Sequence, residues 1–521
     1  MTIPSFWKRP FRKEQSAADG AVEETRMYET VILGGGPAGT GSLVWAARHG
    51  RLNAWLDSGV ALVERSDGLG GSLGQYPLNA DSRGTSFLEC LDGPDCAPFL
   101  ADLKSDPATR EMEPFRSGQP TLQMVNRFER AVGAAVLAEF ARHPNSCALT
   151  GTRALAIQLE RDGSIGVITT DRDGQRAVVR ATSAVVALGG RPNMSWSKTE
   201  LAPGLYLGQW RDKIVSSHRL LSQGGAAEVA RRLARVNRRP RVVIVGGAHS
   251  AFSAAWMLLQ QLPELNFGPQ GVQILHRSEP RPTYWSRDAA RADGYEFSEA
   301  DVCQATGRVH RFAGLQGDGR EVWRRAHRKP GTEPDDRVVT RSLGSLWRAD
   351  LIRLLNDADL VVPALGYRLA TIPVYDPRGD RVPLAQTGPA VRQDARLLAA
   401  DGTPVPGLFG VGLGSGFMPW GAMAGEVSFA GQQNSLWLFQ NDIGKLIYTS
   451  TRRLAHQQQS EVPETITAAT TSAVDQHIVC EEPKIAWAVG SSISWPTTRV
   501  RGRHRRQDTW NTKQHEESRV R

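Results

Sequence analysis

Short runs of consecutive apolar residues that pass straight into glycines set the pattern of this chain. Tyr28-Glu-Thr-Val-Ile-Leu33 is apolar and β-branched, meets Gly34-Gly35-Gly36, and gives way to the helical stretch Ser42-Leu-Val-Trp-Ala-Ala-Arg48. Alternating strand and helix signals continue to about Arg191. Arg241-Val-Val-Ile-Val245 then repeats the arrangement: it runs into Gly246-Gly247, followed by a helical pattern from Phe252 to Gln261. A third block, from about Ala358 to Tyr448, returns to short strands and Gly-rich turns. Strand, glycine and helix occurring twice predict two doubly wound α/β units, one inserted into the other.

The two ends of the chain read differently. Residues 1–27 are polar, mixed in charge and without periodicity, and are expected to be a disordered leader. Beyond 451, Gln, Ser, Thr and Arg accumulate and periodicity fades, which predicts a flexible basic extension over 451–521, with Ile485-Ala-Trp-Ala-Val489 as a candidate strand. Much of the net charge of +9 sits in Arg499-Val-Arg-Gly-Arg-His-Arg-Arg506, with a smaller patch at Lys8, Arg9, Arg12 and Lys13. No aromatic-interleaved face accompanies these runs, so they read as solvated tails and no nucleic-acid partner is expected.

The length of 521 residues exceeds what one hydrophobic core serves, so two or three domains are expected. The five cysteines (Cys90, Cys96, Cys147, Cys303 and Cys480) are odd in number and irregularly spaced, which excludes a secreted disulfide framework. No metal-ligand cluster is present, and no metal is expected. The N-terminus lacks the apolar run of a signal peptide, and no stretch approaches the ~20 apolar residues of a membrane span. The protein reads as cytoplasmic.

Val31-Ile-Leu-Gly34-Gly35-Gly36-Pro37-Ala38-Gly39 fits G-x-G-x-x-G directly after a strand. Gly34 permits the tight turn, Gly36 lets the backbone approach a pyrophosphate, and Gly39 allows close helix–strand packing. Pro37 and Ala38 complete a loop whose helix N-terminus offers free N–H groups to phosphate. Val60-Ala-Leu-Val63 ends in Glu64, placed to accept from the adenosine ribose hydroxyls. Glu64 comes later than the usual spacing of about 20 residues. An insertion around Leu52 to Gly59 explains the excess.

Gly68-Leu-Gly70-Gly71-Ser72 follows. With this pair the chain resembles the large family of flavoproteins with two dinucleotide-binding domains. In that family a Gly-Gly after the ribose acid wraps the FAD pyrophosphate and approaches the flavin. The resemblance implies FAD in the first site, with Gly70, Gly71 and Ser72 beside it. The disulfide-reductase branch has a redox Cys pair at this point; here the chain reads Ser72-Leu-Gly-Gln-Tyr-Pro77, which disfavours thiol exchange.

The second loop, Gly246-Gly247-Ala248-His249-Ser250-Ala251, is a degenerate version of the first, with Ala at the second and third key positions. Ala there is expected to hinder a left-handed backbone more than Gly does. His249 is a candidate pyrophosphate donor. The following strand Val272-Gln-Ile-Leu275 ends in His276-Arg277 in place of an acid, and a guanidinium there suits a 2′-phosphate, which favours NADPH. Arg281 is within reach of the same group.

Ala184-Val-Val-Ala-Leu188-Gly189-Gly190 and Leu360-Val-Val-Pro-Ala364-Leu365-Gly366 resemble the strands that join the two domains in this flavoprotein family. Pro406-Gly-Leu-Phe409-Gly410-Val411-Gly412-Leu413-Gly414 resembles its closing FAD segment. Leu413 stands where the family often has Asp, so backbone N–H groups from Gly412 to Gly416 are expected to substitute.

The expected fold class is therefore α/β, with two doubly wound Rossmann-like domains, the NAD(P) domain inserted into the FAD domain. The expected division is 28–200 for the first part of the FAD domain, 201–355 for the NAD(P) domain and 356–450 for the second part.

Hydride passing from NADPH to FAD leaves the electron acceptor to be identified. No redox Cys pair, haem motif or iron–sulfur set is available, which points to molecular oxygen, with a flavin–oxygen adduct oxygenating a small amine-type substrate. Thr85-Ser86-Phe87-Leu88-Glu89-Cys90-Leu91 resembles a segment of the N-hydroxylating monooxygenases of lysine and ornithine, whose NADP loop also ends in Ser-Ala as at Ser250 and Ala251. The F-x-G-x-x-x-H-S motif common in flavin monooxygenases is absent; His218 is the nearest substitute.

Two alternatives stay open: a dehydrogenase or reductase passing electrons to a quinone, a protein or a small molecule, and a catalytically idle flavoprotein. Asn79, Asp81 and Ser82 are candidates to face the flavin. Tyr284 and Trp285 are candidates to stack on adenine or to pack in a core. No residue is assigned a catalytic role.

Overall fold

The computed structural model describes residues 26–92, 98–386, 388–433 and 435–461. Strands β1 (Met27–Leu33), β2 (Val60–Val63) and β3 (Cys147–Leu149) lie parallel and side by side. Between β1 and β2 runs the helix Pro37–Arg48, with Leu43, Val44 and Ala46 fully buried. A second short helix, Leu52–Asp57, follows it and buries Trp55 and Leu56 completely. That helix is the insertion expected from the late position of Glu64.

β4 (Arg153–Leu159), β5 (Ile165–Thr170) and β6 (Arg176–Val186) form an antiparallel meander. The long β6 also pairs in parallel with β1, from Met27↔Arg180 to Leu33↔Val186. β7 (Gly190–Pro192), β8 (Glu200–Ala202) and β9 (Leu205–Tyr206) lead out of this sheet.

The second sheet consists of β10 (Val242–Val245), β11 (Val272–His276), β12 (Val338–Ser342) and β13 (Leu360–Pro363), all parallel, in the order β12-β11-β10-β13. Val242 and Ile244 pack into one hydrophobic cluster and Val243 and Val245 into another, so both faces are covered, as an all-parallel sheet requires.

The chain then returns through β14 (Tyr367–Leu369), β15 (Val374–Tyr375), β16 (Arg381–Val382), β17 (Arg396–Leu398) and β18 (Pro404–Gly410). β18 adds in parallel to the C-terminal half of β6, and the first sheet reaches ten strands. Every strand of the second sheet lies between β9 and β14 in the chain, so the second α/β unit is an insertion in the first. The exit and the return are tied together: β7 and β14 pair antiparallel, from Gly190↔Leu369 to Pro192↔Tyr367.

A helix runs over Asp442–Glu461, so ordered structure continues about ten residues past the expected boundary at 450/451. Burial explains the extension. Arg452 on this helix forms an ion pair with Glu29 of β1, whose side chain is only 7% exposed. Burial raises the Glu29 carboxyl pKa, and hydrogen bonds from Ser58 and Arg452 oppose the rise. The helix also lies against the first one, where a Cβ on Gly444 would stand 2.8 Å from Cβ of Trp45. The leader, the basic run at 499–506 and the candidate strand at 485–489 lie outside the described residues. Among the described residues no helix is long and apolar enough to cross a membrane.

The long helix Leu122–Phe140, capped by Thr121 Oγ1 accepting from Met124 N, carries a carboxyl in its buried face. Glu129 is 1% exposed, and neither carboxyl oxygen has a hydrogen-bond partner among the described residues. Burial pushes its pKa up to about 8. Between about 4.5 and about 8 the folded protein keeps a proton that the unfolded chain has released, so stability falls as pH rises through this window. Melting temperatures of the natural protein and Glu129→Leu, measured from pH 5 to pH 8, test this. The variant is expected to gain on the natural protein steadily with pH, by about 2 °C or more across the range. A constant gap would show that Glu129 does not titrate there.

Candidate functional site

Both strand-to-helix turns are built on the same backbone contacts. Gly34 N donates to Val63 O (2.8 Å) and Gly246 N to Leu275 O (2.8 Å), while Ala187 N donates to Leu33 O and Ala364 N to Val245 O, each at 2.8 Å. Gly34 has φ +105° and Gly246 φ +146°, and a Cβ on either would stand 2.4 Å from the carbonyl oxygen of Ala187 or Ala364 respectively. Neither position accepts a side chain.

In the first turn a Cβ on Gly39 would lie 1.9 Å from Gly34 O, which locks the helix against its strand. Gly36 differs. Its φ is −76°, and the nearest neighbour of an added Cβ would be Gly71 Cα at 3.6 Å. The protein itself has room there, and that open side is where a diphosphate would approach. The helix starts at Pro37 with no side-chain cap and no acid in its first turn, so its positive end is uncompensated.

Tertiary contacts bring the other expected residues to this point. Gly70 N donates to Gly35 O (2.8 Å), which sets Gly70 and Gly71 beside the loop. Ser72 follows them and is exposed. A Cβ on Gly412 would be 3.4 Å from Cβ of Ala38, so the closing segment also ends here. Gly414 sits farther on, against the backbone of Arg368.

Glu64 is held by Gly35 N to Oε2 (2.7 Å) and Ser66 N to Oε1 (2.8 Å), and each oxygen keeps a second lone pair for a hydroxyl. These residues fit the ADP half of FAD: a side-chain-free cradle, a bare helix N-terminus and a fixed carboxylate. Leu413, in the place of the family's Asp, is exposed. Asn126, on the long helix, was not legible in the sequence; its amide contacts Gly70 O (3.4 Å) and accepts from Gly74 N (2.9 Å).

In the second turn the expected handicap of Ala248 does not arise. It caps the helix His249–Trp256 with φ −112° and ψ −175°, an extended backbone open to any residue. Ala251 occupies the place of Gly39 and is fully buried. Gly247 lies against His276, and Ser250 is half-buried. His249 Nε2 accepts from Gln316 N at 3.3 Å, which joins the loop to the start of the helix Gly317–Ala326. Arg277 is exposed at the end of β11 and donates to Glu200 O (2.6 Å). Arg281 points elsewhere, toward Ser428 and Asp301.

Between the two turns several side chains cross from one unit to the other. Asn79 Nδ2 donates to Asp318 Oδ2 (3.0 Å). Glu426, 3% exposed, accepts from the backbone N–H groups of Phe312 and Ala313. Tyr76 OH lies 3.1 Å from His218 Nδ1, and Tyr76 also bonds Tyr367. Burial, with Arg219 adding to it, holds the His218 pKa below the ordinary imidazole range, and burial raises that of Tyr367. Tyr284 is a core residue, 1% exposed with its hydroxyl donating to Asp293 (2.6 Å), and so does not stack on adenine. Asp81 is exposed and Ser82 half-buried beside the same junction.

No protein-family model matches the chain. A CMP-5'-(3-aminopropyl)phosphonate hydroxylase from Streptomyces rubellomurinus is 35% identical over 441 residues, covering 81% of this chain and 96% of that protein. Among solved structures, an ornithine hydroxylase from Pseudomonas aeruginosa shares 16% identity with a TM-score of 0.46, over 82% of this chain and 99% of its own. A bacillithiol disulfide reductase from Bacillus cereus shares 15% with a TM-score of 0.43, over 83% and 100%.

Gly36 separates folding from cofactor binding. Gly36→Ala meets no close protein atom and needs no unusual φ, so the apoprotein is expected to melt within about a degree of the natural one. FAD affinity is expected to fall by about tenfold or more, since the added methyl stands where the diphosphate would pass. Flavin retained per protein, read by absorbance during dialysis, checks this. Undiminished retention would place the diphosphate elsewhere.

Proposed function

Because this chain belongs to the FAD- and NAD(P)-binding oxidoreductases with two dinucleotide-binding domains, we propose that it is a monooxygenase that hydroxylates a small amine-type substrate with NADPH and molecular oxygen. The observation that carries the reading is the hydroxylase relative, matched over 96% of its length. That enzyme is named for a substrate with an aminopropyl chain, and an amine on a short alkyl chain is the substrate class proposed here. The overall reaction is amine + O2 + NADPH + H+ giving hydroxylamine + NADP+ + water. One oxygen atom enters the N–H bond and the other leaves as water; two of the four electrons that reduce O2 come from NADPH and two from the amine nitrogen.

Bound FAD supplies the two-electron chemistry that links nicotinamide to oxygen. The chain's own residues bind and orient. Gly36, Gly71 and Gly412 leave the diphosphate path free of side chains, and Glu64 is fixed to accept from the ribose. The loop Gly246–Ala251 and its helix N-terminus face the nicotinamide dinucleotide, with Arg277 at the end of the next strand for the 2′-phosphate. Asn79–Asp318 and Glu426 hold the two units in register, so that the two cofactors can meet. The Tyr76–His218–Tyr367 group sits at the same junction. His218, kept neutral near pH 7 by burial, is a group there able to accept a proton. Ser72 after the Gly pair, in place of a thiol, favours oxygen over disulfide chemistry.

Anaerobic mixing of the FAD-loaded protein with NADPH, followed by air and a panel of short alkyl amines, tests the proposal. Bleaching of the flavin and a product one oxygen atom heavier, formed one for one with NADPH, are expected. Oxygen use without such a product would indicate a reductase or oxidase, and no bleaching with either nicotinamide would sink the assignment. Arg277→Ala is expected to raise the NADPH concentration needed for half-maximal bleaching by about tenfold, and to leave NADH unaffected. Equal loss with both would remove Arg277 from the 2′-phosphate.

A further inference from the structure

Apart from the dinucleotide loops, the junction holds a group of cations that nothing in the proposed reaction uses. Arg83 and Arg308 both stack on Trp285, with their guanidinium carbons 3.4 and 3.8 Å from the ring centroid. Arg320 lies over the Tyr284 ring at 4.6 Å, and its Nε is buried without a hydrogen-bond partner. None of these three arginines forms an ion pair with a carboxylate among the described residues, although most of their neighbours do: Arg324 pairs with Asp293 and Arg337 with Asp335. Burial and then the positive charges of Arg311 and Arg83 push the Arg308 pKa down, with Cys303 opposing.

Stacking uses the face of a guanidinium and leaves its N–H edge free. Guanidinium edges with no carboxylate partner among the described residues suit an anion with oxygens in several directions, which describes a phosphonate or phosphate better than a carboxylate. Arg83, Trp285 and Arg320 line a cavity of about 330 Å3, and the carboxylates Asp81, Asp318 and Glu321 line it too, Glu321 being paired with Arg324 and Arg325. Asp318, already bound to Asn79, offers a carboxylate for a cation. A cavity with both signs of charge fits a ligand that carries both. Its position also suits a substrate: Gln316, another lining residue, donates to His249 of the nicotinamide loop.

We propose that this cavity is a substrate subsite for a phosphonate or phosphate group, held by Arg83 and Arg320, with Arg308 stacked on Trp285 behind them and Asp318 taking the ammonium end of the same molecule. The assignment rests on the amine-hydroxylating reading above and narrows its substrate to amines that bear such an anion.

Binding without turnover tests it. The FAD-loaded protein, free of NADPH, is titrated calorimetrically with 3-aminopropylphosphonate, with n-propylamine and with inorganic phosphate. The aminophosphonate is expected to bind at least about tenfold tighter than the amine. Arg83→Gln and Arg320→Gln are expected to abolish that margin while leaving unchanged the NADPH concentration that half-saturates flavin bleaching. Arg83→Lys, which keeps the charge and loses the planar fork, should keep part of it.

In the natural protein the margin should shrink as salt is raised, a readout that needs no variant to fold. Three results would overturn the proposal: no preference for the phosphonate, a preference that salt and both Gln variants leave intact, or variants that weaken NADPH in place of the phosphonate. The last would assign the arginines to the nicotinamide cofactor. A protein that binds the aminophosphonate as expected yet forms no oxygenated product would keep the subsite and sink only the oxygenation.

Discussion

Close approach of backbone to backbone at the strand-to-helix turns is the constraint on which the rest of this structure depends. At Gly34 and Gly246 the carbonyl of a neighbouring strand end lies where a Cβ would be, and at Gly39 the turn's own carbonyl does. The absence of side chains at Gly34 and Gly39 lets the first helix sit tightly on β1 with its N-terminus pointing at the sheet's carboxyl edge. The cradle and the positive helix end are therefore one feature. The second turn repeats the strand-end contacts of the first, Gly246 N to Leu275 O and Ala364 N to Val245 O, but substitutes Ala251 for Gly39. The loop keeps an extended conformation at Ala248.

The second constraint is connectivity. The inserted unit hangs from the first by two crossing segments, and these pair with each other as β7 and β14. Beyond their three residue pairs, backbone bonds from Gln223 N to Gln75 O and from Ser428 N to Ala300 O also cross. Rigidity comes from side chains that reach across: Asn79 to Asp318, the Glu426 carboxylate to two backbone N–H groups, and Tyr76 to His218 and Tyr367. Each is a polar contact with its geometry set by both units. Residues that carry no helix or strand signal thus decide where two cofactors would stand relative to each other.

Charge is treated in three ways in this interior. Glu29 is buried and paired with Arg452, which fastens the last helix to the first strand. Glu129 is buried and unpaired, and becomes neutral instead. The arginines around Trp285 are partly buried and unpaired, but a guanidinium cannot shed its proton at neutral pH. Aromatic stacking moderates the penalty without removing the positive field. Among these cases only the arginine group lies beside a cavity, where Asp81, Asp318 and Glu321 supply the opposite sign of charge.

Much of the fold was legible along the chain. Apolar runs ending in glycine marked β1 and β10, and Gly34, Gly36, Gly39, Glu64, Gly246 and Arg277 were named from spacing, because a turn of this kind is local and its requirements repeat every time. The short helix at Leu52–Asp57 was visible only as an excess of residues before Glu64. The helix to Glu461 was hidden by its polar composition, since what holds it is a distant ion pair to Glu29.

Ala248 was judged by residue type, whereas the backbone angle decides. Asn126, Glu426, Tyr367 and the stacking of Arg83 and Arg308 on Trp285 had no local signature at all. Sequence by itself determined the elements and the two nucleotide turns, because hydrogen bonding and sterics within a few residues dictate them. Only the tertiary structure decided what faces the space between the turns, because those contacts join residues far apart in the chain, as Asn79 and Asp318 are by 239 positions.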